Sequence, residues 1–233
     1  MIPGIVAGQM RGPSGGATDP FWSSVVSLLH FDGADDSTTF TDQRGKTWTP
    51  ASTARLDTAQ QKFGTASLLL ESTGQYISTP TSSDFAYGTG DFTIEFWMRP
   101  TSVSGAQLIY DQKSTTSETQ PSILLNTSNL QFVTNNTTRI SISGVTINTW
   151  HHVALCRSGT STRLFLNGSA GSVFTDSANY PAPPTAVYVG TAGNAVGNAS
   201  FDFGGWIDEL RVTKGAARYT SNFTPPTAAF PSS

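Results

Sequence analysis

"DFTIEFWMRP", residues 91–100, alternates with a period of two. Phe92, Ile94, Phe96 and Met98 fall on one face, Thr93, Glu95 and Trp97 on the other, and Pro100 ends the run. This pattern predicts a strand of an antiparallel sheet. On either side the chain repeats it in short runs separated by Gly, Asn, Ser and Pro clusters. Nowhere is an apolar period of 3.6 sustained over ~11 residues. Upstream, "VVSLLHF" (25–31) and "ASLLLES" (66–72) read as strands, with "FTDQRGKTWTP" supplying a hairpin between them and "YISTP" (76–80) following. Downstream, "AQLIYDQ" (106–112), "SILLNT" (122–127), "LQFVTN" (130–135) and "RISISG" (139–144) continue as a meander. "AVYVGT" (186–191) and "GWIDELRVT" (205–213) are later strands. "KGAARYT" reads as one short helical turn, and "NFTPPTAAFP" is fixed by its prolines as an edge or an irregular strap. A dozen or so strands without a regular helix predict an all-β fold, a two-sheet antiparallel β-sandwich.

The composition agrees. Of 233 residues only 12% are charged while 11% are aromatic, so Ser, Thr, Asn, Gln and Gly must carry the surface. A helical bundle would need far more Glu, Lys, Leu and Ala. The net charge of −3 provides no electrostatic footprint for nucleic acid. No stretch approaches ~18 consecutive apolar residues, so no membrane insertion is expected. The opening residues lack the basic start and apolar run of a signal peptide, which predicts a chain made in a cytoplasm. A single cysteine, Cys156, leaves the fold to be held by packing alone.

Two regions follow. Residues 1–20 hold five glycines and three prolines, incompatible with a regular helix or a central strand. Ile2, Ile5, Val6 and Met10 nevertheless make this segment stickier than a linker, as expected of an extended arm that adds to a partner. Residues 21–233 form the sandwich.

The stretch "WHHVALCRSGTSTRLFLNG" (150–168) gathers residue types that could make a metal site or a nucleophile with its base. Read as a strand, its neighbours His151 and His152 diverge, and Cys156 lies four residues from His152, ~13 Å along the same face. Neither zinc nor cysteine-nucleophile geometry follows. The stretch instead predicts a hairpin in which a histidine bonds a loop and Cys156 is a small buried apolar residue, closed by the positive-φ turn Asn167-Gly168. A glycosidase needs two carboxylates ~5–9.5 Å apart on one face. Asp91 and Glu95 are ~13 Å apart in an extended strand, and adjacent Asp208 and Glu209 are expected on opposite faces. No catalytic residue is therefore assigned, and the chain is expected not to be an enzyme.

In order, "LLHFDG", "FG..SL.L", "DFTIEFWMRP", "WHHVALCR....RLFLNG" and "GWIDELRVTKGAARYTSNFTPP" resemble the laminin-G-like branch of the concanavalin-A-like lectin/glucanase jelly rolls over about residues 25–230. The resemblance implies a module that binds glycans or proteins or decorates a surface. It also implies calcium as the one metal to consider. Asp32, after the first strand, and Asp208, in the last long one, are its candidate ligands, with Asp35, Asp36 and Asp42 nearby in sequence. No other cofactor is expected. The two ends look like those of tailed-phage virion proteins, which implies a homo-oligomer tethered to other virion proteins through its arm. A cell-surface glycan is the further partner it implies. No glycan-contacting residue is singled out among Tyr76, Tyr87, Trp97, Tyr110 and Tyr180.

Overall fold

The computed structural model describes residues 18–71 and 74–233. Ile2, Ile5, Val6 and Met10 of the expected arm lie outside the described residues. The chain enters through a 3-10 turn at Trp22–Ser24 and then runs through β1 (Val25–Leu29), β2 (Phe40–Thr41), β3 (Thr47–Ala51), β4 (Arg55–Asp57), β5 (Ser67–Leu70) and β6 (Tyr76–Pro80). A second 3-10 turn, Ser83–Phe85, leads to β7 (Phe92–Pro100), β8 (Ala106–Asp111), β9 (Ser122–Asn126), β10 (Asn129–Thr134) and β11 (Thr137–Ser143). The remaining strands are β12 (His151–Ser158), β13 (Ser161–Leu166), β14 (Ser169–Ala170), β15 (Phe174–Thr175), β16 (Ala186–Val189) and β17 (Gly205–Lys214).

These strands make two antiparallel sheets facing each other across one core, as the alternation predicts. The nine-stranded sheet runs β14-β13-β12-β7-β17-β5-β4, with β1 also on β17 and β15 also on β13. The eight-stranded sheet runs β11-β10-β9-β8-β16-β6-β3-β2. Phe92, Ile94, Phe96 and Met98 of β7 enter the core beside Val153 and Leu155 of β12, while Phe132, Ile123, Ile109 and Val187 meet them from the other sheet.

The other face of the nine-stranded sheet is also covered. After Lys214 the chain forms no helix; the short turn expected at "KGAARYT" is instead the start of an irregular strap across that face. Thr93 Oγ1 explains the departure, because it donates to Ala216 O (3.0 Å) and accepts from Arg218 N (2.9 Å), fixing these backbone groups to the sheet. Ala217, Tyr219 and Phe223 then pack on Ala154, Cys156 and Phe165, and Phe230 packs on Val25 and Leu28. Asn167-Gly168 forms the expected turn, with φ of 51° and 78°. Gly168 has a second reason to be glycine: a Cβ there would lie 1.9 Å from Phe223 O of the strap, whose Phe223 N–H donates to Gly168 O.

Candidate functional site

Of the reactive residue types of the sequence, His152, Cys156 and Glu95 end in the layer between the nine-stranded sheet and the strap, while His151 takes the opposite parity of β12, in register with the core residue Met98. His151 is buried and bonds loops: Asn167 Nδ2 donates to Nδ1 (3.1 Å), so Nε2–H faces Thr146 O (3.1 Å). Burial holds its pKa below the ordinary imidazole value, so the ring is neutral. His152 is fully buried among Trp97, Tyr219, Phe223 and Phe230 with both ring nitrogens free of hydrogen bonds. Burial pushes the Cys156 thiol up to about 12, which removes it as a thiolate nucleophile.

Glu95 projects from the middle of β7 into the same layer. Its Oε1 accepts from Arg211 Nε (2.9 Å) and its Oε2 from Tyr219 OH (2.9 Å). Arg211 Nη1 and both terminal nitrogens of Arg218 donate to Asp19 at 2.7–3.0 Å, which extends the network to the chain entry. Burial alone would raise the Glu95 pKa, but the facing Arg211 guanidinium overrides it and brings the value down to about 2. This carboxylate stays ionised and paired, with no proton to offer a leaving group.

Asp208 and Glu209 do not sit on opposite faces as the plain alternation predicts. Ile207 and Leu210 both enter the core, and the register against β7 shifts between Asp208 and Arg211 while Glu209 adopts φ 53°. This β-bulge turns both intervening side chains outward. Asp208 Oδ2 accepts from Lys62 N (2.7 Å) and Phe63 N (3.0 Å), and its Oδ1 from Glu209 N (2.9 Å). Burial outweighs these donors and raises its pKa to about 7. Glu209 accepts from Phe230 N (2.9 Å) and pairs with His30 Nδ1 (2.9 Å). Both acids are spent on holding backbone.

Asp32 and Asp208 are brought to two ends of one loop without sharing a site. Asp32 Oδ1 accepts from Thr65 N and Thr65 Oγ1, two residues beyond the Phe63 amide that Asp208 holds. Gly64, at φ +65°, is the residue between, and a Cβ on it would strike Asp32 Oδ1 at 2.0 Å. The "FG" and "IDEL" motifs are thus two halves of one clamp. N–H donors occupy these carboxylates where calcium would require further oxygens. Asp35 and Asp42 likewise accept from backbone amides, Asp36 pairs with Arg55, and Asp42 also takes the Trp48 indole N–H (3.0 Å). Among the described residues no group of three His, Cys, Asp or Glu side chains could hold a metal ion.

The accessible concavities lie elsewhere. Ile109, Ile123, Leu125 and Phe132 point into the core, so their alternates Leu108, Leu124 and Val133 face out from the eight-stranded sheet. The segment after β16 folds back over them: Leu108 N–H donates to Phe201 O (2.8 Å), and Leu108 bridges Asp202 in parallel. Asp111 pins that segment, accepting from Gly193 N (2.9 Å) and Ser122 Oγ (2.5 Å). The result is a cleft of about 180 Å³ with Leu108, Leu124, Val133 and Phe201 at its floor and Lys113, Asn136 and Asn194 at its rim. Beside it a polar cleft of about 340 Å³ is lined by Ser102, Gln107, Ser200, Asp202 and Glu71. Of the five aromatic residues considered for glycan contact, Tyr87, Trp97, Tyr110 and Tyr180 are buried, while Tyr76 is partly exposed and packs edge-on to Tyr188.

Alternation alone misses the apolar cleft, yet a signal was present. "LIY", "ILL" and "FV" place apolar residues on both parities of β8, β9 and β10, which in an antiparallel sheet means that both faces are covered. Lys113 lies in a loop and had no such signal.

Solved structures share this fold. The binding domain of Paraclostridial Mosquitocidal Protein 1 superposes with TM-score 0.65 at 15% identity, over 85% of this chain and 50% of that one. Domain 4 of AbnA, an extracellular GH43 arabinanase from Geobacillus stearothermophilus solved with arabinotriose, gives 0.58 at 18% identity over 83% of this chain and 94% of that one. A Trypanosoma rangeli sialidase, solved with 2,3-difluorosialic acid, gives 0.60 at 11% identity over 83% of this chain and 31% of that one. The chain thus spans half of the toxin domain and under a third of the sialidase. No curated protein matches by sequence. Residues 71–218, which contain the bulge, the central strand and the histidine hairpin, match the Laminin_G_3 family, and the chain accordingly belongs to the concanavalin A-like lectin/glucanases superfamily.

Proposed function

We propose that this chain is a non-catalytic glycan-binding module. The observation that carries the reading is the outward cleft over β8, β9 and β10, where an apolar floor is rimmed by amide and ammonium groups. Sugars present C–H faces and hydroxyl edges, and such a floor and rim complement both. The arabinotriose bound by the AbnA domain and the binding role named for the toxin domain support the same reading. The commitment of Glu95, Asp208 and Glu209 to buried partners supports an absence of glycosidase chemistry. Displayed in many copies, the full chain is expected to retain a subset of glycans on an array through avidity. An array with no hits at multivalent display sinks the reading, and release of reducing sugar from any hit would restore an enzyme.

The setting we propose is a tailed-phage virion, with residues 1–20 joining the module to its oligomer. The phage-like ends and the apolar residues on a glycine-rich arm support it. Light scattering on the full chain is expected to show an oligomer, and on a chain starting at Phe21 a monomer. Equal masses would discard the arm as an assembly device.

A further inference from the structure

Beside the apolar cleft we infer a second subsite: the polar cleft of about 340 Å³ takes a further sugar unit, so the ligand is a neutral oligosaccharide that crosses from one cleft to the other. This rests on the glycan-binding reading above and goes beyond it by assigning a second site and by naming the ligand's charge and extent.

The two clefts are opposite sides of one thin partition. Ser200 and Asp202 line the polar cleft while Phe201 between them lines the apolar one, as alternate residues of an extended segment do. The sheet repeats the division: Gln107 faces the polar cleft, and Ala106 and Leu108 face the apolar one. The bond from Leu108 N–H to Phe201 O (2.8 Å) fixes the partition to β8.

Two buried side chains hold the polar cleft in shape. Gln107, 6% exposed, donates from Nε2 to Ser102 O (3.2 Å) and Ser104 O (3.1 Å) and accepts at Oε1 from Gly204 N (3.3 Å). Asp202, 7% exposed, accepts from Gly74 N (2.6 Å) and Thr191 Oγ1 (2.6 Å). With the walls tied in this way, their hydroxyls are left over. Among the described residues those of Thr101, Ser104 and Ser200 make no hydrogen bond, and Ser102 Oγ only accepts, from Ser104 N (3.1 Å). Each hydroxyl can both donate and accept. Sugar hydroxyls replace solvent at such groups without loss of hydrogen bonds.

Charge decides against anions. No Lys, Arg or His lines the polar cleft, whereas Glu71 and Asp202 set carboxylates there. These two do not make a cation site, because Asp202 is spent on Gly74 and Thr191 and Glu71 pairs with Arg55 (2.7 Å). In the apolar cleft the one cation among the lining residues is Lys113, and its charge acts on the adjacent buried Asp111, where burial raises the pKa and the ammonium opposes the rise. Neither cleft offers a phosphate, sulfate or uronate a free partner. Neutral hydroxyls fit the one and the C–H face of a ring fits the other. At about 340 Å³ the polar cleft also reaches the ~300–1,000 Å³ of ligand pockets.

The test is a glycan array that includes neutral arabino- and malto-oligosaccharides and acidic galacturono-oligosaccharides of graded length, probed with the full chain displayed in many copies. Retention is expected on neutral chains, about tenfold or more above the matching monosaccharide. Ser102→Met together with Ser104→Met removes two hydroxyls and fills the cleft. This double substitution is expected to lower retention of the longer chains about tenfold. Its melting temperature should stay level, because both residues are exposed. Ser200→Met, in a separate segment of the wall, should act in the same direction. Hits confined to acidic glycans, retention independent of chain length, or neutral hits kept in full by both variants would overturn the second subsite and leave the glycan reading standing on the apolar cleft. An empty array removes the glycan reading and this inference with it.

Discussion

Glu95 shows how one residue can be open to two readings in the sequence and to one in three dimensions. On a strand facing out of a sandwich, a lone glutamate is the residue type from which glycosidases are built. Here Arg211 and Tyr219 close on it from two elements. Removing one member of a buried ion pair leaves the other uncompensated, so Glu95→Gln is expected to cost about 3–5 kcal/mol in denaturant unfolding. A cost below ~1 kcal/mol would mean that the strap does not seal this layer. The same carboxylate sets an acid limit. Its folded pKa of about 2 lies below the ordinary 4.5, so its contribution is complete above 4.5 and drains away as the pH falls toward 2. Asp19, held below its ordinary value against burial by its hydrogen bonds from Arg218, adds to this limb.

At the level of elements, the strap and the bulge are where function and stability were hardest to read from sequence. Nearly every strand was legible, since a period of two survives in β7 and β12 whatever packs outside them. Glu95, Trp97 and His152 share the outer parity of their strands, and what buries them there had no periodic signal, because the covering element is irregular and lies over a hundred residues away in the case of Glu95 and Tyr219. The bulge at Asp208-Glu209 was invisible for a related reason: one left-handed residue shifts the parity without changing the composition. Two pieces of the five motifs that carried the resemblance, "FG" and "IDEL", were legible as words but not as a clamp. An element-scale test follows from the strap. Ending the chain after Lys214 strips Tyr219, Phe223 and Phe230 from the outer layer and exposes Ala154, Phe165 and His152. The truncated chain is expected to lose cooperative unfolding and to aggregate, as seen by circular dichroism and light scattering. A cooperative monomer would show that the first layer suffices.

For the whole molecule, the titrating groups bound a window of stability. Burial works against protonating His30, yet its bond to Glu209 raises the pKa above the ordinary 6.5. Its contribution is therefore complete below 6.5 and is lost as the pH climbs through the raised value. Asp208 acts in the same direction, because a folded value of about 7 against 3.8 unfolded makes rising pH destabilising across that interval. Because Glu95 gains only up to 4.5 while Asp208 already loses from 3.8 upward, these groups place the expected maximum near 3.8–4.5, with a steeper fall once His30 also titrates. Urea midpoints measured from pH 3 to 9 check it, and a maximum above pH 8 would contradict the assignment. His30→Gln should flatten the upper limb without touching the lower one. One last feature bears on how such a domain is used. Asp19 N–H donates to Ser233 O (2.7 Å), with the Asp19 side chain anchored to Arg211 and Arg218 on the outer side of the nine-stranded sheet. The apolar cleft opens on the far side of the sandwich. Residues 19 and 233 thus meet on the outer side of one sheet and the cleft opens on the outer side of the other, so the whole thickness of the core separates the two.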